Sequence, residues 1–225
     1  MTREREKQLA AAAGVDLVEE GMVVGLGTGN TAEIAVRMLG KRVAGGLRIR
    51  GVATSLAIER LAGELRIPLM TLDDAPRVDL TLDGADEVDP NLDLIKGGGG
   101  AHFREKVVAH ASEREVILVD SGKLVSRLGE RFPVPVEVHR FAWKVAASEL
   151  VELGATPVLR EAGPHPFVTD NGNYVLDCKF PAIPDPAALE KEINSVVGVL
   201  ENGIFAGIAT AVLVGEGDRV RTLDR

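Results

Sequence analysis

The sequence predicts an α/β protein, with a body built on a parallel sheet and a small inserted α+β domain. Three observations carry this. Short β-branched runs alternate with helical patterns from the start of the chain to about Asp120. The pattern changes near Phe132, where a proline-flanked strand and an Asn171-Gly172 turn signal point to antiparallel pairing. The stretch GIATAVLVGEG (207–217) then returns to a buried-strand composition. The body is assigned to 1–131 and 207–225, and the insertion to 132–206.

Residues 3–20 read as a helix, and VVGL (23–26) as a buried strand. A helix from Thr31 to Leu39 leads to a strand at LRIRGVA (47–53) and a helix from Ser55 to Leu65. PLMTL (68–72) and VDLTLD (78–83) read as strands. A helix runs from about Ala101 to Ala111, and VILVD (116–120) is the next strand. In the insertion, PVPVEV (133–138) is a strand. FAWKVAASELVELG is a helix with an apolar stripe through Phe141, Val145, Leu150 and Leu153, ended by Gly154. The Asn171-Gly172 signal sits between alternating runs as in a hairpin, and Pro186 to Val197 reads as a helix.

The 225 residues suffice for one large domain, or for one with a smaller appendage. A net charge of −8 argues against general affinity for nucleic acid, which needs a basic face. It leaves room for a small anion held by backbone N–H groups and a few lysines. No apolar stretch approaches the roughly 18 residues that span a bilayer. MTREREKQLAAAAG is charged and helical, unlike a signal peptide with an apolar core. Cys178 is the one cysteine, so no intramolecular disulfide forms, and a cytoplasmic setting is the default.

The stretch 25-GLGTGNTAEIAV-36 is a glycine-rich turn between a strand and a helix. It lacks the Gly-Lys-Ser/Thr ending of a Walker A loop. It also fails the dinucleotide pattern. Asn30 holds the third glycine position, and the next strand ends in Ala53-Thr54-Ser55 rather than in an acidic residue. What remains is a small lip of Thr28, Gly29, Asn30 and Thr31, suited to an oxyanion. Glycine admits close approach, and the first N–H groups of the helix point at the ligand. A plain strand-to-helix turn with Thr31 near the N-cap is the competing reading.

The stretch 83-DGADEVD-89 places several carboxylates at a strand's C-terminal end, where open α/β sheets bind ligands. Such a cluster suits proton transfer or metal binding, and the competing reading is a solvated Asp-Gly turn. The histidines at 102, 110, 139 and 165 show no ligand spacing. The run 96-KGGGGAHFREK-106 is costly in chain entropy. It makes sense if backbone N–H groups form an anion nest, with Lys96 at the entrance to neutralise an oxyanion. Glu105 lies in the early turns of the following helix. It shares a face with Ala101, Val108 and Ala109, opposite Phe103 and Val107, and this pattern does not separate a catalytic glutamate from a surface one.

Taken in order, GLGTGNTA, DGADEVD, KGGGGAHFREK and 120-DSGKLV-125 resemble the ribose-5-phosphate isomerase A family, and the resemblance spans essentially the whole chain. Asn30 is a small departure, since serine is more usual there. The resemblance implies interconversion of ribose 5-phosphate and ribulose 5-phosphate in the pentose phosphate pathway, without a metal or organic cofactor. It implies a Rossmann-like body, a ferredoxin-like lid, and a cytoplasmic homodimer or homotetramer. The partner is a small sugar phosphate, with no nucleic acid and no membrane. It makes Glu105 the general base and gives Asp83, Asp86 and Lys96 ring opening and the substrate oxygens. Thr28, Gly29, Asn30 and Thr31 bind the phosphate end. Gly84, Ala85, Gly97, Gly98, Gly99 and Lys123 also bind substrate, and Lys7 approaches the phosphate.

These types suit the reaction. An aldose–ketose isomerisation takes a proton from carbon beside a carbonyl and leaves an enediolate. A carboxylate must sit over the carbon, and a cation or N–H donors must meet the charged oxygen. A second carboxylate, Asp83, can shuttle a proton between O1 and O2. Of the other residues, Cys178 and Trp143 read as packing. His102 is placed to line the site, and Asp120 orients Lys123 or caps the following helix.

Two other readings stand beside this one. A related sugar-phosphate enzyme, such as an amino-sugar-phosphate deaminase or an acyl-CoA transferase, would share the phosphate turn but not DGADE with KGGGG…REK. A non-catalytic sugar-phosphate sensor would want a DNA-binding module, yet one helix precedes the first strand and the chain is acidic.

Overall fold

The computed structural model describes residues 2–74 and 77–225. Helix α1 (Arg3–Asp16) precedes strand β1 (Val23–Leu26), and α2 (Asn30–Ala44) leads to β2 (Arg50–Ala53). Helix α3 (Leu56–Glu64) is capped by the Ser55 hydroxyl, which accepts from the Ile58 N–H, and β3 (Leu80–Asp83) follows. Next come β4 (Glu87–Val88), β5 (Leu94–Ile95), α4 (His102–His110), β6 (Glu115–Asp120) and a 3₁₀ turn at Ser121–Lys123. Then follow β7 (Val134–Val138), α5 (Trp143–Glu152), β8 (Thr156–Leu159), β9 (Glu161–Ala162), β10 (His165–Pro166) and β11 (Tyr174–Lys179). The chain closes with α6 (Pro186–Asn194), β12 (Val199–Asn202), β13 (Ile204–Phe205), β14 (Ala211–Glu216) and β15 (Arg219–Asp224).

These elements form two compact units. One comprises Met1–Ala85, Arg104–Lys123 and Ile208–Arg225, and the other Asp86–Phe103 and Leu124–Gly207. The second unit takes in 86–103 and 124–131 as well as the span 132–206 read as an insertion. Glu87 accounts for part of this. Its fully buried carboxylate accepts from the backbone N–H groups of Gly129, Arg131 and Phe132 at 2.6, 2.6 and 2.9 Å.

The first unit is a mixed sheet in the order β15-β14-β6-β3-β1-β2, parallel except for the antiparallel edge strand β15. Val24, Leu26, Leu80, Leu82, Val116 and Leu118 pack with Ala10, Ala11, Val36, Leu39 and Leu61 of α1, α2 and α3. Val23, Val52 and Val78 pack with Val108 of α4. With both faces covered, the strands read as unbroken apolar runs rather than as alternating ones. The expected strand at 68–72 is not formed. Leu69 makes a single bridge to Gly51, and the Asp74 carboxylate takes the Thr71 hydroxyl at 2.9 Å, turning the chain instead. The first helix stops at Asp16, four residues short of the expected end, and β15 had no strong apolar signal because its residues are exposed or half-buried.

The second unit runs β7-α5-β8, then β11-α6-β12, on an antiparallel sheet in the order β12-β7-β11-β8. Its core includes Val134, Val136, Val138, Leu150, Leu176, Cys178 and Ile193. Two expectations are corrected here. Asn171-Gly172 does turn, with Gly172 at φ 84°, but it joins no pair of partnered strands, since β11 pairs with β7 and β8 while β10 pairs with β9. The turn instead wraps the fully buried Glu137 carboxylate, which accepts from Thr169 Oγ1, Asn171 Nδ2 and Asn173 Nδ2 at 2.9, 3.1 and 2.9 Å. Phe141 and Val145 are 94% and 58% exposed rather than on the buried stripe. The helix starts at Trp143, so Phe141 precedes it, and the buried positions are Ala146 and Leu150 at i, i+4 spacing.

Burial, with the neighbouring Asp177 charge as a smaller cause, pushes the Cys178 thiol up to about 12 from an ordinary value of 9.0. The native protein is expected to resist iodoacetamide at pH 8 and to be alkylated once unfolded, as mass spectrometry would read. Because the folded thiol holds its proton longer than the unfolded one, its contribution to stability is complete below pH 9 and is lost as pH rises towards 12. Stoichiometric labelling of the native state would contradict this burial.

Candidate active site

In the first unit β2, β1, β3, β6 and β14 are parallel, so their C-terminal ends share one edge. The chain leaves β1 for β2 on one side and reaches β3 on the other. That reversal between β1 and β3 is the topological switch point, where α/β sheets bind ligands. Gly27 and Asp83 meet there. A Cβ at Gly27 would lie 2.3 Å from the Asp83 carboxylate oxygen, so only glycine lets the two strand ends close. The same Oδ1 accepts from the Thr28 N–H at 3.1 Å and from the Gly84 N–H at 2.7 Å.

Thr28, Gly29, Asn30 and Thr31 form the turn into α2. Gly29 sits at φ 107°, which favours glycine, and an added Cβ would meet nothing within 4 Å. Gly29 and Asn30 are exposed, and Thr31 is buried. The first N–H groups of α2 precede its first backbone bond, from Glu33 N to Gly29 O at 2.8 Å, which leaves them available to an anion. The Thr28 hydroxyl is 2.7 Å from that of Thr54 and 2.9 Å from that of Ser55. Thr54 in turn donates to the Leu26 carbonyl at 3.0 Å. Thr54 and Ser55 are thus parts of the site that the sequence reading did not select, although it noted hydroxyls at that strand end.

Asp83 and Glu105 are 0% and 4% exposed. On α4, Val108 and Ala109 are buried with Glu105 while Val107 is exposed, which settles what periodicity left open: Glu105 points inward. Lys123, half-buried, ends the 3₁₀ turn, where the Asp120 carboxylate accepts from the Gly122 N–H at 2.9 Å. Asp120 therefore caps this turn. Lys7 is half-buried on α1, and its amino group stands 4.0 Å from the Glu4 carboxylate. Gly84 and Ala85 follow Asp83 and are half-buried.

In the second unit Lys96 follows β5 and is 2% exposed. Its N–H donates to the Gly203 carbonyl at 2.8 Å, and its ammonium lies 5.4 Å from the centre of the Phe205 ring. The glycine run is held from both sides. Asp86 accepts the Gly98 N–H at 2.7 Å, and Arg160 donates to the Gly97 and Gly98 carbonyls at 2.9 and 3.2 Å. Arg160 also pairs with Asp177 through two hydrogen bonds and lies over the Phe167 ring. Side chains at Gly97 or Gly100 would strike the His102 or Phe167 rings, at 2.7 and 2.4 Å. His102 is fully buried and packs against the run. Gly99 is exposed with open space around it. No local signal in the sequence pointed to Arg160, Phe167 or Phe205, because they arrive from distant segments. Among the described residues, no group of three or more His, Cys, Asp or Glu side chains could hold a metal ion.

The family model for ribose 5-phosphate isomerase A (phosphoriboisomerase A) matches residues 50–219. The chain belongs to the ribose 5-phosphate isomerase A family. A ribose-5-phosphate isomerase A of Thermosynechococcus vestitus is 51% identical over 93% of this chain and 91% of its own. That of Maricaulis maris is 45% identical over the full length of both. Among solved structures, ribose 5-phosphate isomerase A from Methanocaldococcus jannaschii is 46% identical and superposes with a TM-score of 0.95 over the whole of each chain. A D-ribose-5-phosphate isomerase solved with phospho-erythronic acid is 44% identical, with a TM-score of 0.97 over the whole of each chain. Membership of the ribose 5-phosphate isomerase A family thus extends through both units.

Arg160 gives a direct test of how the glycine run is held. Arg160→Ala removes two carbonyl partners and leaves Asp177 without its cation, so unfolding in urea is expected to lose about 2 kcal/mol. An unchanged urea midpoint would mean that the run holds its shape without this anchor.

Proposed function

We propose that the chain interconverts D-ribose 5-phosphate and D-ribulose 5-phosphate through an enediolate, with Glu105 as the base. The observation that carries this reading is the burial of Asp83, Lys96 and Glu105, at 0%, 2% and 4% exposure, within the span 50–219 that the family model matches. Burying ionisable groups is costly, and such groups concentrate where chemistry needs them. Both units retain the family's sequence over its full length, which supports assigning them to one reaction.

The substrate phosphate is held by Thr28, Gly29, Asn30 and Thr31 at the start of α2, with Lys7 and Lys123 as cations. Its binding energy holds the sugar while the reacting end is processed. Asp83 and Asp86 move the protons that open the furanose ring. Glu105 then takes the proton from C2 of the open aldose, and the electron pair passes to O1. Lys96 and the N–H groups of the glycine run, Gly97, Gly98 and Gly99, stabilise the charged oxygen. Gly84 and Ala85 border the substrate. Asp83 shuttles a proton between O1 and O2, and Glu105 returns its proton to C1, giving the ketose. No step in this scheme calls for a metal or organic cofactor.

The span 132–206 serves as a ferredoxin-like lid on a Rossmann-like body formed by 1–131 and 207–225. The order β7-α5-β8-β11-α6-β12 and the sheet order β12-β7-β11-β8 support that description. The working form is a homodimer or homotetramer in the cytoplasm, consistent with a metabolic enzyme of acidic charge and one buried cysteine. No helix among the described residues is long and apolar enough to cross a membrane.

Proton NMR of ribose 5-phosphate with the protein in heavy water, with a chelator present, tests the activity. Ribulose 5-phosphate should appear, with deuterium entering at the transferred carbon. Glu105→Gln is expected to lower kcat by about 10³-fold, as loss of a positioned base does, while substrate still binds. Near-normal kcat in that variant would remove Glu105 from the base role. No conversion, together with line broadening of the sugar phosphate, would leave a binding protein.

A further inference from the structure

Glu6 lies on α1 one residue before Lys7, and its carboxylate leaves the helix to join two other elements of the same unit. One oxygen accepts from the Ser121 hydroxyl at 2.9 Å and from the Ser121 N–H at 3.3 Å. The other accepts from the Gly217 N–H at 3.0 Å, in the turn between β14 and β15. These hydrogen bonds, from Gly217 first and Ser121 next, hold the carboxyl below its usual value, so it is ionised at neutral pH. The helix itself is pressed close to this edge. A Cβ at Gly215 would lie 2.0 Å from the Glu6 carbonyl oxygen, and one at Gly122 would lie 3.1 Å from the Arg3 guanidinium carbon.

Ser121 opens the 3₁₀ turn that ends at Lys123, and Asp120 fixes the middle of that turn through the Gly122 N–H. The turn is thus gripped at two points, by its own strand end and by a carboxylate from α1. A half-exposed glutamate that only decorated a helix would have no reason to take three donors from two remote turns. We propose that Glu6 is a positioning residue: it locks the Lys123-bearing turn to the Lys7-bearing helix, and so sets the spacing of the two cations that receive the substrate's phosphate. This deepens the isomerase reading and rests on it. Glu6 touches no reacting atom. It acts through Ser121 and through its own backbone, and its loss is felt in substrate capture rather than in proton transfer.

The test compares wild type, Glu6→Gln, Ser121→Ala and the double variant by steady-state kinetics with ribose 5-phosphate. A glutamine presents an amide in place of one oxygen, so it cannot accept from both turns. KM is expected to rise about tenfold in Glu6→Gln, the scale of losing charge-assisted hydrogen bonds that order a binding turn, with kcat within about twofold. Ser121→Ala should raise KM less, and the double variant should be no worse than Glu6→Gln alone, because the Ser121 hydroxyl acts through Glu6. A lower melting temperature with unchanged KM would overturn the proposal and leave Glu6 a structural tie. Additive effects in the double variant would overturn it also. If Glu6→Gln does not fold, the Ser121→Ala split between KM and kcat decides alone. Absence of turnover in the wild type would instead remove the isomerase reading, an outcome separate from all of these.

Discussion

The candidate site residues of the first unit depend on one close approach, between the end of β1 and the carboxylate at the end of β3. Parallel strands bring both ends to the same edge, and the missing side chain at Gly27 lets them close. Asp83 Oδ1 can then take the Thr28 and Gly84 N–H groups together. With two donors on one oxygen, the carboxylate is oriented before any ligand arrives. Such an orientation suits the proton shuttle proposed for Asp83, since a freely rotating carboxylate would have to be ordered during the reaction. A methyl group at Gly27 would push the carboxylate out and separate the Thr28–Thr31 turn from Asp83 in one change.

The second unit answers a different difficulty with similar means. Consecutive glycines lose more conformational freedom on folding than any other residues, so Gly97 to Gly100 need outside help to hold a shape. Asp86 takes an N–H of the run and Arg160 takes two of its carbonyls. The rings of His102 and Phe167 occupy the space that side chains would have needed. Glycine is thus required by the neighbours as much as by the turn. The run faces solvent at Gly98 and Gly99, and Gly99 is unhindered on its open side.

Much of this was legible in the sequence because the relevant signals are local. The alternation of β-branched runs and helical patterns gave the parallel sheet, and the motif at each strand end marked candidate residues by position. Glu105 shows where local reasoning stopped: its face holds Ala101, Val108 and Ala109, a composition equally fit for an interior or a shielded surface. Burial decided it, and burial is a property of the assembled unit. Asn171-Gly172 was read as a hairpin because its composition is that of one, but the buried charge of Glu137, more than thirty residues earlier, recruited the turn as its hydrogen-bonding shell. The strand expected at 68–72 failed for a similar reason, since one bridge to Gly51 does not make a ladder. Arg160 was invisible because nothing near it in sequence speaks of the glycines it holds.

The hydroxyls at the end of β2 fit the proposal that this glycine turn receives a phosphate rather than a dinucleotide. In a dinucleotide site that strand end carries a carboxylate for a ribose diol. Here Thr54 stands there, 2.7 Å from the Thr28 hydroxyl. A carboxylate in its place would put a negative charge beside the turn proposed to accept a dianion, and would oppose the potential at the start of α2. Neutral hydroxyls fix Thr28 without that penalty. Thr54 is itself tied to the Leu26 carbonyl, and Ser55 caps α3, so the pair is rigid and uncharged. On the proposed reading, the choice of ligand is made as much by the strand beside the glycine turn as by the turn itself.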